Sequence, residues 1–295
     1  MKKALIVGAR GQLAGALRWA APEGVEVVAL ERAQLDICDE ASVRAALERH
    51  NPDVVWNGAA FNAVDRAQSP AGARDAMNIN ALGPTLLAMA CRDTGARLMH
   101  FSTDFVFDGR KSSPYTEEDA TNPVSVYGAS KLGGESAVLA TSPQHLVVRV
   151  QRLFGLLDDP NSGSGSAAKP GGNFPLLMLR LARERSQVRV VDDQMGTPTY
   201  TPDLAKAAWQ LAQRAEGGLF HLSNAGEVAF ADYAETIFQM AGVSCAVERV
   251  SSREYGAPAA RPPYSTFSNQ KAHSLGVAPL RSWEEALREF LDRHA

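Results

Sequence analysis

A tyrosine and a lysine stand four residues apart in Tyr127-Gly128-Ala129-Ser130-Lys131. On a helix this spacing puts both side chains on one face, one turn from each other. A phenol, with a pKa of about 10, exchanges protons poorly near neutrality. An adjacent ammonium favours the phenolate and is expected to tune Tyr127 toward working pH. The pair therefore points to proton transfer, with Lys131 also able to hold a ribose hydroxyl. Upstream, an apolar run ends in Ser102-Thr103-Asp104. Thr103 can bond a substrate carbonyl or hydroxyl, and Asp104 can orient a hydroxyl or assist the proton transfer. A cap and a turn are the plainer roles for these two.

A second group of residues suits a nucleotide. Gly8-Ala9-Arg10-Gly11-Gln12-Leu13-Ala14-Gly15 follows a short apolar run and opens a helical one. Glycines at 8 and 11 permit a tight turn and let backbone amides approach a pyrophosphate at the helix N-terminus. Leu30-Glu31-Arg32 ends the second apolar run, where ribose recognition occurs in such folds. Glu31 suits the 2′-hydroxyl of NADH, whereas Arg32 with Arg10 suits the 2′-phosphate of NADPH. The expectation is NADPH, with NADH possible. Asp36-Ile37 can bracket the adenine with a carboxylate and an apolar wall.

These residues need a scaffold, and the hydrophobic pattern supplies one. Apolar runs at 4–7, 25–30, 53–57, 97–102 and 145–150 read as strands. Helical stretches at 12–21, 41–50, 71–93 and 126–140 separate them. This alternation predicts an α/β fold with a doubly wound parallel sheet over residues 1–152. Residues 153–295 read mainly as a smaller substrate lobe, with some elements returning to the sheet. They hold helices near 174–185, 202–214, 230–241 and 283–293 and a strand at 188–191. The stretch Asp158 to Gly172, rich in Gly, Ser and Pro, reads as a surface loop, or as a lid between the parts.

Composition excludes several classes. A net charge of −3 over 295 residues gives no footprint for nucleic acid or an anionic membrane. The three cysteines, Cys38, Cys91 and Cys245, are widely spaced, which fits a reducing cytoplasm and neither a disulfide framework nor a metal site. The run Ala4 to Val7 is too short for a signal segment, and no window has transmembrane length. His100 and His221 flank apolar strands and read as core histidines, and Trp283 as a packing anchor.

Taken together, these motifs resemble the dTDP-4-dehydrorhamnose reductase family of extended short-chain dehydrogenases. The resemblance runs through Gly8 to Leu13, Asn57 to Asp65, Ile79-Asn80-Ala81, Ser102-Thr103-Asp104 and Tyr127 to Lys131. It continues through Asp193-Gln194-Met195-Gly196-Thr197-Pro198-Thr199, Ala260-Arg261-Pro262 and Trp283 to Leu287. It implies that Gly11, Gln12, Leu13, Glu31, Asp36, Ile37, Ala59, Ala60 and Phe61 line the cofactor, and that Asn62 and Val64 touch the sugar. It also implies Thr103, Asp104, Tyr127 and Lys131 at the reaction centre, with hydride delivery to C4 of a nucleotide sugar. Arg261 can face a substrate phosphate. Where members carry a tryptophan facing the sugar, this chain has Arg152, a cation suited to a pyrophosphate, a carboxylate or extra hydroxyls. Ala16 occupies a position where some members hold a bridging magnesium through glutamate, so no magnesium-bridged dimer is expected. A reductase or epimerase of another nucleotide sugar, or a non-catalytic NADP-binding regulatory subunit, are the alternative readings.

Overall fold

The computed structural model describes residues 1–155 and 172–293. Most of the loop expected at 158–172, and with it any lid, lies outside the described residues.

The first half winds a parallel sheet. In chain order it runs β1 (Lys3–Val7), α1 (Gln12–Trp19), β2 (Glu26–Leu30), α2 (Glu40–His50), β3 (Val54–Asn57), α3 (Pro70–Met77), α4 (Gly83–Thr94), β4 (Arg97–Thr103), α5 (Val126–Thr141) and β5 (Leu146–Val150). The second half contributes β6 (Leu153–Phe154), α6 (Phe174–Glu184), β7 (Gln187–Val191), β8 (Met195–Gly196), β9 (Thr199–Tyr200), α7 (Thr201–Arg214) and β10 (Gly218–His221). It ends with β11 (Val228–Ala229), α8 (Phe230–Ala241), β12 (Ala246–Val250), α9 (Ser252–Tyr255), α10 (Gln270–Ser274) and α11 (Trp283–Asp292).

Six strands pair in the order β10-β5-β4-β3-β1-β2, and every pairing is parallel. The expected doubly wound α/β sheet is therefore present, with one strand more than the five read from the first half. That sixth strand, β10, comes from the second half and ends at His221, one of the elements expected to return to the sheet. One face packs against α1 and α7, where Leu13, Leu17, Leu204 and Trp209 meet Ile6, Trp56 and Met99. The indole of Trp209 donates to Leu17 O at 2.9 Å, tying the two helices. The other face packs against α2, α4 and α5 through Val43, Leu47, Leu87 and Val138. Burying both faces explains why these strands are continuously apolar rather than alternating.

A separate core forms in the second half. Tyr233, Phe154, Tyr200 and Phe290 meet Trp283 and Leu287 there. Trp283 is buried and sets its ring edge-on to Tyr233, as a packing anchor does.

One expectation fails in detail. The single helix expected at 71–93 is broken into α3 and α4 by a wider π turn, Asn78–Leu82. Pro84 stands in the first turn of α4 and has no N–H to continue an unbroken ladder. The wider turn coincides with Asn80, whose amide is fully buried and spent on the site described next.

Candidate active site

The strand order reverses beside β1: β2 lies on one side and β3 on the other. In open α/β sheets a ligand crevice forms outside the carboxyl ends of the strands at such a switch point. Gly8 sits there with φ +80°, and a Cβ on it would meet Ala59 N at 2.9 Å. Only glycine meets both demands, so this residue lets the loops after β1 and β3 touch. The amides of Gly8 and Ala9 both donate to Leu30 O, closing the turn onto β2. Helix α1 then starts at Gln12 with no side chain capping its first turn and no acidic residue within it. Its leading amides thus form an anion-binding end. Gln12 Nε2 donates to Leu153 O, while its buried Oε1 has no partner among the described residues. An uncapped helix end and an orphaned buried oxygen fit a dinucleotide.

The outer end of that crevice is charged. Arg10 pairs with Glu31 at 2.6 Å, and Arg32 with Asp36 at 3.1 Å. Asp36 is held below the usual carboxylate range, first by the amide of Cys38 and then by Arg32. Ile37 is buried against Gly83, a contact with no room for a side chain at residue 83. Arginine and carboxylate signals that conflict in the sequence are thus partners of each other in the fold.

The inner end is organised by Asn80. Its Oδ1 accepts from Phe61 N at 2.8 Å, and its Nδ2 donates to Phe61 O at 3.0 Å and to Ser130 Oγ at 3.0 Å. Ser130 in turn donates to Tyr127 O. This one amide therefore locks the loop after β3 to the first turns of α5. Asn80 appears in the sequence only as part of a shared triplet; nothing in its spacing reveals the clamp. The ring of Phe61 lies under the Arg66 guanidinium and packs with Val64, Ala67 and Tyr127.

Helix α5 positions Tyr127 and Lys131. Ser125 caps it by accepting from Gly128 N, and a Cβ on Gly128 would lie 2.2 Å from Phe105 O. The glycine inside Tyr-Gly-Ala-Ser-Lys thus lets the helix start press onto the loop after β4. Tyr127 is buried, edge-on to Phe105, and its hydroxyl faces Asn62 Oδ1 at 3.4 Å and the Thr103 hydroxyl. Thr103 donates to Asp104 Oδ1 at 3.1 Å. Ser265, from the far end of the chain, donates to Asp104 Oδ2 at 2.7 Å. Burial raises the Asp104 carboxyl above its ordinary value, while Ser265, the charge of Arg152 and Thr103 oppose that rise.

The expected tuning of Tyr127 by Lys131 is corrected. Burial pushes the Tyr127 hydroxyl up, the Asp104 charge adds to this, and only Thr103 draws it down. Lys131 instead reaches across to β4 and donates to Phe101 O at 2.5 Å. Helical spacing brought the two stems together, but the long lysine stem spans to a strand carbonyl. Burial lowers Lys131 to about 8, against the opposing charge of Glu135 one turn further on. Glu135 forms a bidentate buried pair with Arg149, whose Nη1 lies 3.3 Å from His221 Nε2. His221 is core, as expected, and its Nδ1 bonds to Tyr115 O. His100 is also core, bonded to Asn57 Nδ2. Glu135 is a residue the sequence could have supplied, since it stands four past Lys131 on the same helix.

Two predicted substrate residues have protein partners. Arg152, with φ +44°, stacks at 3.9 Å over the Phe230 ring and donates to Val228 O and Gln194 O. Its guanidinium passes within 2.8 Å of where a Cβ on Gly196 would stand. Burial lowers it to about 10. Arg261 grips both oxygens of Asp65, at 3.1 and 2.9 Å, and so ties the loop holding Asn62 and Val64 to the second half. Thr103, Asp104, Tyr127, Asn62 and Phe61 thus share one end of the crevice; Glu31, Arg32, Asp36 and Ile37 lie at the other.

A nucleotide-type parallel sheet carrying a threonine, a tyrosine and a lysine beside its switch point defines a Rossmann-type reductase of the extended short-chain dehydrogenase class. Within that class, the chain belongs to the family described as the RmlD substrate binding domain, whose model matches residues 1–295. It is 36% identical over 296 residues to the spore coat polysaccharide biosynthesis protein SpsK of Bacillus subtilis, covering 100% of this chain and 99% of that one. It is 41% identical over 297 residues to the dTDP-4-dehydrorhamnose reductase of Mycobacterium tuberculosis, covering 98% and 92%. A crystal structure of dTDP-4-dehydrorhamnose reductase from Bacillus anthracis in complex with NADP superposes with a TM-score of 0.90 at 33% identity, covering 99% of each chain.

Proposed function

We propose that this chain reduces the 4-keto group of a dTDP-activated 6-deoxysugar at the expense of NADPH; relatives named dTDP-4-dehydrorhamnose reductase and dTDP-4-keto-6-deoxy-D-glucose reductase, and a related structure in complex with NADP, support this reading. The observation that carries this reading is the grouping of Thr103, Asp104, Asn62 and Tyr127 at the inner end of a crevice built for a dinucleotide. Residues 1–152 then serve mainly the cofactor and 153–295 mainly the substrate.

Gly8, Gly11, Gln12 and Leu13 would hold the cofactor pyrophosphate. Arg10, Glu31, Arg32, Asp36 and Ile37 would take its adenosine end, and Ala59, Ala60 and Phe61 its wall. NADPH supplies the hydride when bound. Tyr127, kept as the neutral phenol by burial, donates its proton to the oxygen left on the sugar. Lys131 places a buried positive charge near the developing negative one and offers a donor to a ribose hydroxyl. Thr103 and Asn62 orient the carbonyl, and Asp104 and Val64 meet neighbouring parts of the sugar. Arg261 lies beside Asp65 at the loop, where an arriving phosphate would compete for it. Arg152 supplies positive potential from behind Asp104. The reading places the reaction in the cytoplasm and includes no magnesium-bridged dimer. No helix among the described residues is long and apolar enough to cross a membrane.

The test is NADPH consumption by the purified protein with dTDP-4-dehydrorhamnose, with the product sugar identified. Turnover to dTDP-rhamnose that disappears in Tyr127→Phe is expected. Binding of NADPH and sugar with no turnover would favour a regulatory subunit and overturn the reading.

A further inference from the structure

The Asp104 carboxylate is satisfied from both halves of the chain. Thr103 holds Oδ1 at 3.1 Å, and Ser265 holds Oδ2 at 2.7 Å. Ser265 is buried, and its placement is fixed by backbone bonds to the segment around Gly196. Ser265 N donates to Met195 O at 3.0 Å, and Met195 N donates to Pro263 O at 2.7 Å. That same segment accepts from Arg152 through Gln194 O. Arg152 supplies the positive charge facing Asp104, and Tyr127 is the other titratable group facing it.

This arrangement poses a problem for the proton step. The Thr103 hydroxyl donates to Asp104 and the Tyr127 hydroxyl to Asn62 Oδ1, so neither proton lies between the Thr103 and Tyr127 oxygens. When Tyr127 gives its proton to the sugar oxygen, its own oxygen becomes an anion that needs a donor. The Thr103 hydroxyl faces that oxygen, and it can turn to Tyr127 only if Asp104 can release it. A buried carboxylate losing one of its donors is costly unless another remains.

We propose that Ser265 is a positioning residue of the proton step: by holding Asp104 from the second half of the chain, it frees the Thr103 hydroxyl to turn from Asp104 to the Tyr127 oxygen as the proton leaves. No bond beyond those of the proposed reduction is made or broken. The Tyr127 proton goes to the sugar oxygen, and the Thr103 hydrogen bond changes acceptor. The inference rests on the reading of Tyr127 as proton donor. It also ties proton donation to the packing of the substrate-side segment that carries Ser265.

The experiment is steady-state reduction of dTDP-4-dehydrorhamnose by NADPH across pH for Ser265→Ala, Ser265→Thr, Asp104→Asn and the Ser265→Ala/Asp104→Asn pair. Ser265→Ala is expected to lower kcat about tenfold, the scale of a lost hydrogen bond to a charge, with little change in KM for NADPH. Its acidic limb is expected to move to higher pH, because the carboxylate has lost a donor that favours its charged form. Ser265→Thr restores the hydroxyl and is expected to recover both kcat and the limb. In the Asp104→Asn background the serine change is expected to add nothing further. Wild-type kcat and limb in Ser265→Ala would overturn the inference. So would a Ser265→Thr variant as slow as Ser265→Ala, or a serine effect undiminished in Asp104→Asn. Full turnover in Tyr127→Phe would instead overturn the underlying reading, whatever Ser265 does.

Discussion

Two groups of polar and charged side chains flank the inner end of the crevice, and they are built in contrasting ways. Lys131, Glu135 and Arg149 come from α5 and the adjacent strand β5, within one stretch of chain. Glu135 and Arg149 satisfy each other through two hydrogen bonds while almost wholly buried. Asp104, Arg152 and Ser265 come from three separate segments, and Ser265 stands 161 residues beyond Asp104. The first group is part of the sheet scaffold and exists as soon as the sheet does. The second exists only when the later segments pack against the sheet. On the proposed reading, a rigid charge and an assembled one serve the same site, and the assembled one is where packing of the later segments would influence the chemistry.

The sharpest break in this picture is Tyr127→Phe. Removing the phenol should lower kcat by about a hundredfold to ten-thousandfold, the usual span for a general acid. NADPH affinity, measured by fluorescence titration, should change little. Next in size is the scaffold pair. Glu135→Gln leaves Arg149 buried without its carboxylate, a loss of about 3–5 kcal/mol. Ser265→Ala should cost only about 1–3 kcal/mol, by the loss of a single donor to a charge. Denaturant unfolding of both variants tests the contrast, and equal losses would erase it.

The same pair sets an expected pH dependence. Burial brings Lys131 down to about 8, so activity that needs its charge should fall as pH rises through that value. Glu135 is the group that raises Lys131, so Glu135→Gln should move this alkaline limb to lower pH in a kcat profile. The sign for stability is opposite. Above about 8 and below the ordinary 10.5, the unfolded chain keeps this proton and the folded chain does not, so this group's contribution to stability increases with pH.

Gly8→Ala should act at the cofactor end. It forces an L side chain to φ +80° against Ala59 N, costing about 1–2 kcal/mol for the left-handed conformation alone, and should raise KM for NADPH. The smallest effect is expected from Asp65→Asn. The Asp65–Arg261 pair is partly exposed, so its loss should cost under about 1 kcal/mol in stability. It should show mainly as a changed KM for the sugar nucleotide.

The contrast also explains what was legible in the sequence. The glycine turn, the Tyr127–Lys131 spacing and five sheet strands could be read because each is local: a period, a turn or a helical repeat reports it. Glu135 belongs to the same repeat. Ser265 and the Asn80 clamp could not be read, because their partners lie far along the chain and no period links them. That β10 pairs with β5 could not be read either, because the two strands lie far apart along the chain and no period links them. The direction of the Tyr127 shift failed for a different reason. Spacing locates Lys131 beside Tyr127, but only the fold shows its ammonium drawn to Phe101 O and the phenol shut away from water.

That reversal bears on the central claim, that Tyr127 waits as a neutral proton donor. The direct measurement is an ultraviolet titration of the wild-type protein against Tyr127→Phe, reading the phenolate band of the difference. No Tyr127-dependent phenolate below about pH 10, the ordinary tyrosine value, is the expected result. A Tyr127-dependent phenolate forming between about pH 6 and 9 would show the lysine to be the dominant influence after all, and would contradict the account.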